Sequence, residues 1–357
     1  MSKFKIGIIG AGSMSKMHLD AYGMLTNVEV TAICDIIPEH VREKAEQFKV
    51  PKTYSDHKRM FSECDLDAVS IITPNHLHAP ITLDALNAGL HVLCEKPPAM
   101  NAQQAVSMAD CAKSNNRLLM YGFVFRFMDK VSAVKELQQN GMFGDIYYGK
   151  AGIVRRCENP GGWFCNSSYS RGGPLIDLGV HIIDLAMYLM DNSNPATVFA
   201  STFNKMGSRN NIKGYSWYHA AAFDSPIHDV ENLAVALIKF KNDATLFIET
   251  SYASHIKAEK VYMDLVGDRG GVTVEPGLEI FSEQHDYLMD IKPVLDDTTF
   301  NWEKAVKNEI RHFIQCIQDD SPCLSSAEDG VKVMKVIDAI YQSAESGHAV
   351  SLENNTQ

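Results

Sequence analysis

The sequence predicts two domains of different class: an α/β unit with a doubly wound parallel sheet in residues 1–123, and an α+β unit in residues 124–357. Three observations predict this. The chain has 357 residues, more than a single core usually supports. In residues 5–123 short β-branched runs alternate with amphipathic segments, a pattern that implies right-handed crossovers between parallel strands. Beyond residue 124, strand candidates follow one another through short turns such as "KND" at 241–243, the pattern of hairpins.

In the first part the strand candidates are "KIGIIG", "VEVTAIC", "AVSIIT", "HVLCE" and "RLLMYGF", with helices starting near Ser15, Pro38, His57, Pro80 and Ala102. In the second, a helix "DKVSAVKELQQN" leads to the strand "GDIYYGKAGIVRR" and a loop "CENPGGWFCNSSYSRGG" rich in Gly, Ser and aromatic residues. A helix then begins at Pro174, a favourable first-turn position. The strands "ENLAVALIKF", "ATLFIETSYAS", "KVYMDLVG" and "LEIFS" follow, and two helices near Trp302 and Ser326 close the chain.

Composition is that of a soluble globular protein, 45% hydrophobic and 22% charged. A net charge of -11 without a basic patch argues against nucleic acid or an anionic membrane as partner. The eight cysteines are scattered, with no short zinc or redox spacing, so no metal is expected and a reducing cytoplasm suits them. No signal peptide and no run of transmembrane length is apparent.

The first strand runs into "GAGSMS", with Gly10, Gly12, Ser13 and Met14 where a helix would open. Glycines there permit a tight turn and let a pyrophosphate approach the amides at the helix N-terminus. An ordinary strand-to-helix turn would look similar, but Asp35 ends the second strand, where a carboxylate accepts both ribose hydroxyls and repels a 2′-phosphate. Ile36 and Ile37 follow it with no cation, so NAD is favoured over NADP. Asp35 is also placed to cap the helix at Pro38, a role compatible with the first. In open α/β sheets ligands bind beyond the carboxyl ends of strands. Thr73, Pro74, Asn75 and His78 of "TPNHLH", and Glu95 and Lys96 of "CEKPPA", are therefore candidates to border the cofactor. Lys96 sits between an acid and two prolines, which aim its ammonium; a solvated surface lysine is the alternative.

Residues 172–185, "GGPLIDLGVHIIDL", are apolar nearly all round at roughly 100° per residue, so they form a buried helix. Asp177, His181, Asp184 and Tyr188 fall in one stripe of it. Asp177 and His181 are one turn apart, close enough for a carboxylate to fix the tautomer of the imidazole and stabilise its cation. A satisfied core histidine in a polar network is the other reading.

These motifs together resemble the glucose-fructose oxidoreductase, inositol dehydrogenase and rhizopine catabolism (Gfo/Idh/MocA) superfamily of NAD(P)-dependent oxidoreductases. The resemblance covers nearly the whole chain: "GIIGAGSMSKMH", "TPNHLHAPITLDALNAGLHVLCEKP", "GFVFRF", "GGPLIDLGVHIIDL" and "EDGVKVMKVIDAIYQS". It implies a Rossmann first domain and a second domain with an open, mostly antiparallel sheet. It also implies a catalytic Lys96, a catalytic pair in Asp177 and His181 facing the nicotinamide across an interdomain cleft and close to Lys96, and Arg126 near cofactor or substrate. Ser15 stands where the third Gly or Ala is usual, a small departure.

The implied activity is hydride transfer between NAD and a ring secondary alcohol of a sugar, sugar derivative or cyclitol, with a homodimer or homotetramer as the assembly. His181 would take the hydroxyl proton and Lys96 would stabilise the alkoxide. Asp184 would support His181 or cap a neighbouring element. Trp163, Phe164 and Tyr169 offer a platform for a sugar ring or simply packing, and Trp217, Tyr218 and His219 lie in a long loop of the kind that often carries function. Arg155, Arg156 and Arg171 would hold an acidic substrate group or serve as surface charges. Two other classes share the family: reductases of non-sugar substrates, such as those resembling biliverdin reductase, and non-catalytic nucleotide sensors resembling the galactose-pathway repressor of yeasts. The intact set of Lys96, Asp177 and His181 argues against a sensor.

Overall fold

The computed structural model of the chain describes residues 3–191, 194–207, 212–213, 227–295 and 297–352. Trp217, Tyr218 and His219 lie outside the described residues. The first sheet has six strands: β1 (Phe4–Ile9), β2 (Val28–Cys34), β3 (Lys52–Tyr54), β4 (Ala68–Ile71), β5 (His91–Glu95) and β6 (Leu119–Gly122). All pair in parallel, in the order β3-β2-β1-β4-β5-β6. The order reverses between β1 and β4, so the segments after these strands flank the crevice that such a reversal opens. Intervening helices are α1 (Ser13–Gly23), α2 (Pro38–Phe48), α3 (His57–Glu63), α4 (His78–Asn87) and α5 (Ala102–Asn115). Helices α1 and α4 each begin two residues before the start read from the pattern. β3, polar and three residues long, carries no periodicity to read.

The later elements are α6 (Asp129–Gln139), β7 (Ile146–Val154), the short α7 (Ser167–Ser170), a π-helical turn at Leu175–Gly179 and α8 (Val180–Leu189). Then come β8 (Pro195–Phe203), β9 (Leu233–Phe240), β10 (Thr245–Ser251), β11 (Lys260–Gly267), β12 (Gly270–Glu275), β13 (Glu279–Gln284) and β14 (Tyr287–Ile291). Helices α9 (Trp302–Asp319) and α10 (Ala327–Ser346) and the two-residue β15 (Val350–Ser351) end the described chain. The second sheet is ordered β14-β13-β12-β11-β7-β10-β9-β8-β15 and is antiparallel except where β7 meets β10. Helix α8 packs on β7 and β10, and α6 on β12.

The chain divides into two compact units, Met1–Val124 with Trp302–Val331, and Phe125–Asn301 with Lys332–Gln357. The single cut after residue 123 therefore misses one return of the chain. Residues 302–331 were expected in the second domain and instead join the first, because the apolar stripe of α9 (Ala305, Val306, Ile310, Phe313, Ile314) is buried and α9 packs on α1. One helical run, Ser167–Leu189, has the length and composition of a membrane span, but 94% of that window is buried inside the protein, which makes it a core helix.

Candidate active site

In the first unit, the turn after β1 places Gly10 at φ +101, a left-handed conformation that glycine tolerates and where a Cβ would strike the Ile72 carbonyl. Gly12 precedes α1, no side chain caps that helix, and a Cβ on Gly12 would meet nothing within 4 Å. Ser13 and Met14 form the open first turn, with Ser13 exposed and Met14 half-buried. A helix start without a side-chain cap, the helix dipole and clear space fit a diphosphate. Ser15 is buried and donates to the Gly12 carbonyl at 2.6 Å, so it braces the turn from inside.

Asp35 does more than end β2. One carboxylate oxygen accepts the Ala11 N–H at 2.7 Å and the other accepts the Ile37 N–H at 2.9 Å. It ties the glycine turn to the start of α2, and its oxygens retain lone pairs for ribose hydroxyls. Ile36 beside it is 69% exposed, an apolar surface left open.

After β4 and β5 two loops are stapled by His78, whose Nδ1 lies 2.7 Å from the Pro97 carbonyl and whose Nε2 lies 2.9 Å from the Thr73 carbonyl. Burial pulls the His78 pKa down, against the pull of those two carbonyls. His78 is thus a brace between the "TPN" and "EKP" turns, with Thr73 and Pro74 half-buried and Asn75 buried beside it. The Lys96–Pro97 peptide is cis. Glu95 accepts from His18 Nε2 at 2.9 Å and from the Lys96 N–H at 3.2 Å. Burial would raise the Glu95 pKa, but the His18 bond and charge and the Lys96 ammonium hold it below the usual carboxylate range. With one bond on each oxygen, Glu95 braces the Lys96 turn. His18, fully buried on α1, was missed from sequence because nothing local marks its partner 77 residues away.

In the second unit the catalytic-helix candidate starts with a cap that sequence reading also missed. The buried Glu231 carboxylate accepts the Gly173 N–H and the Leu175 N–H, each at 3.0 Å. Burial raises its pKa, and those bonds with the Tyr341 hydroxyl oppose the rise. The helix opens as a π-turn, so the uniform 100° phase does not hold through Asp177. Asp177 accepts the Tyr252 hydroxyl at 2.9 Å. Burial, and then the Asp177 charge, keep Tyr252 protonated. The His181 ring stacks on Phe125, centroids 4.6 Å apart, and Phe300 closes edge-on against Phe125.

Asp184 is held from the "GFVFRF" segment. It takes a two-pronged bond from Arg126, which also lies 4.7 Å over the Tyr188 ring. Arg126, expected near cofactor or substrate, is anchored to this carboxylate. Trp163 stacks on Phe164 at 3.9 Å in a 3₁₀ turn, half-buried. Arg155 pairs with Glu158 and Arg171 with Asp338, so these two charges are answered internally. Lys96 is half-buried in the first unit, whereas Asp177, His181 and Arg126 belong to the second.

Two family models match the chain, one described as oxidoreductase family, NAD-binding Rossmann fold, over residues 4–123, the other as oxidoreductase family, C-terminal alpha/beta domain, over residues 135–352. The D-glucoside 3-dehydrogenase of Escherichia coli (strain K12) is 33% identical over 360 residues, 98% of either chain. The myo-inositol 2-dehydrogenase of Thermotoga maritima is 25% identical over 358 residues, again 98% of each. A levoglucosan dehydrogenase solved with NADH and levoglucosan shares the fold, with a TM-score of 0.85 at 23% identity over 99% of this chain and all of that one.

Proposed function

The chain belongs to the glucose-fructose oxidoreductase, inositol dehydrogenase and MocA family of oxidoreductases, and from that premise we propose that it is an NAD-dependent dehydrogenase acting on a ring secondary alcohol of a sugar, sugar derivative or cyclitol. The observation that carries the reading is the held state of the helix: His181 stacked on Phe125, one turn after a carboxylate fixed by Tyr252. A proton-transfer pair kept so rigid suits catalysis and has no use in a sensor.

NAD, when bound, accepts hydride from the carbinol carbon or returns it. Gly10, Gly12, Ser13 and Met14 would hold its diphosphate, Asp35 the adenosine ribose, Ile36 the adenine side, and Thr73, Pro74 and Asn75 its other half. His181 takes the hydroxyl proton as the alcohol is oxidised and gives it back in reduction. Asp177 orients the ring and favours its cation, and Lys96 stabilises the oxygen as it becomes an alkoxide. Arg126 serves through Asp184 as a positioning residue. Trp163 and Phe164 offer a sugar ring an aromatic face. With Arg155 and Arg171 already paired, a neutral substrate fits better than a phosphorylated one, and the 33% relative makes a glucoside the first to try.

The test is absorbance of reduced nicotinamide as glucosides, levoglucosan and cyclitols are added with NAD. At least one should be oxidised, and His181→Ala should cut its turnover by about 10²- to 10⁴-fold with NAD binding retained. No reduction with any member, or full turnover in the variant, would overturn the reading. All eight cysteines are free, which supports a cytoplasmic setting. Phe199 and Leu237, cross-strand neighbours 52% and 46% exposed, support a homodimer or homotetramer built through the open sheet face. A monomeric mass by light scattering would refute that assembly.

A further inference from the structure

Three donors that are far from a motif in sequence converge at the end of α9. His312 and Cys316, four residues apart, share one face of the helix. The helix ends at Asp319, Asp320 takes a left-handed φ of 50°, and the returning loop "SPC" brings Cys323 back. The ligand atoms of His312, Cys316 and Cys323 all lie within 4.8 Å of one another. Cys316 Sγ is 3.2 Å from His312 Nε2, which also accepts the Leu324 N–H at 2.9 Å. Two sulfurs and an imidazole are a donor set for a thiophilic, borderline-soft cation, and three protein ligands leave one tetrahedral position for water or another ligand.

We propose that His312, Cys316 and Cys323 form a zinc site. Zinc would take both sulfurs as thiolates and the His312 Nε2 lone pair, displacing the thiol protons and the Leu324 N–H bond. His312 and Cys323 are half-buried, which leaves the cation a way in. The site would also have a mechanical effect. The loop it clips to α9 carries Ser325, which accepts the Tyr121 N–H at 3.0 Å and donates its hydroxyl to the Tyr121 carbonyl at 2.8 Å. A bound metal would thus fasten α9 to the segment that closes on β6.

The full chain, reduced and stripped of metal, is titrated with Co²⁺ and then Zn²⁺. One Co²⁺ per chain should give a thiolate-to-cobalt charge-transfer band that Zn²⁺ bleaches, and melting temperature should rise with Zn²⁺. Cys323→Ser and His312→Gln should lose the band and Cys111→Ser should keep it. Without any variant, Zn²⁺ should protect Cys316 and Cys323 of the native chain from alkylation while leaving Cys64 and Cys111 as reactive as before. Absence of the band, protection of none or of all four alike, or a Cys316–Cys323 disulfide forming in a chain that binds no metal when reduced would each overturn the proposal.

Discussion

Arg126 and Asp184 meet through two parallel hydrogen bonds, Nε to Oδ2 at 2.9 Å and Nη2 to Oδ1 at 2.6 Å, with both side chains almost wholly buried. This fork explains why an otherwise apolar helix carries a second carboxylate. It joins α8 to the "GFVFRF" segment, which also supplies the Phe125 ring under His181. Removing one partner leaves an uncompensated buried charge, so Asp184→Ala should lower stability by about 3–5 kcal/mol in urea unfolding. Replacing both with apolar residues of similar volume should recover much of that loss. A loss below about 1 kcal/mol for the single variant would mean the pair is solvated and weak.

Tyr252 donates a hydrogen bond to Asp177, and the ring is fully buried, so Tyr252→Phe removes the donor without opening a cavity. A hydrogen bond to a charged group contributes about 1.5–3 kcal/mol, and stability should fall by that order. The bond favours the ionised carboxylate. Its loss should raise the Asp177 pKa and move the acid limb of the kcat/KM profile to higher pH. An unmoved profile would separate Tyr252 from the proton-transfer pair.

Asp35 holds the glycine turn through Ala11 and α2 through Ile37, besides its proposed ribose role. Asp35→Ala should therefore weaken NAD by more than tenfold without producing a proficient NADP enzyme, since the turn loses its brace along with the specificity carboxylate. Steady-state KM values for both cofactors check this. A clean exchange of preference at undiminished kcat would show that the backbone bonds contribute little.

Glu158 is buried, and burial together with Glu259 raises its pKa from 4.5 to about 7 despite Arg155. Between those values the folded state binds more protons than the unfolded one, so this group makes stability fall as pH rises from about 4.5 to 7 and recover as pH drops. Glu158→Gln should flatten that part of the curve of melting temperature against pH. An unchanged slope would assign the pH dependence elsewhere.

Much of the fold was legible because its signals are local. Alternating β-branched runs and the turn at Gly10 announce parallel strands and a phosphate-binding helix start, and an apolar circumference announces that α8 is buried. The return of residues 302–331 to the first unit was not legible, since an amphipathic stripe states that a helix packs and not upon what.

The same limit runs through the site. By itself the sequence determined the family to which the chain belongs, and it singled out Lys96, Asp177 and His181 as the residues proposed to carry its chemistry. Only the tertiary structure decided their supports: Tyr252 for Asp177 across 75 residues, Arg126 for Asp184 across 58, Glu231 for the helix start, and His18 behind the Glu95–Lys96 turn. Cys323 beside Cys316 and His312 is the same kind of outcome, a cluster made by a helix end and a returning loop. Periodicity is a property of neighbours along the chain. A buried polar group finds its partner through space, and which distant side chain reaches it is settled when the sheets, helices and turns close on one another.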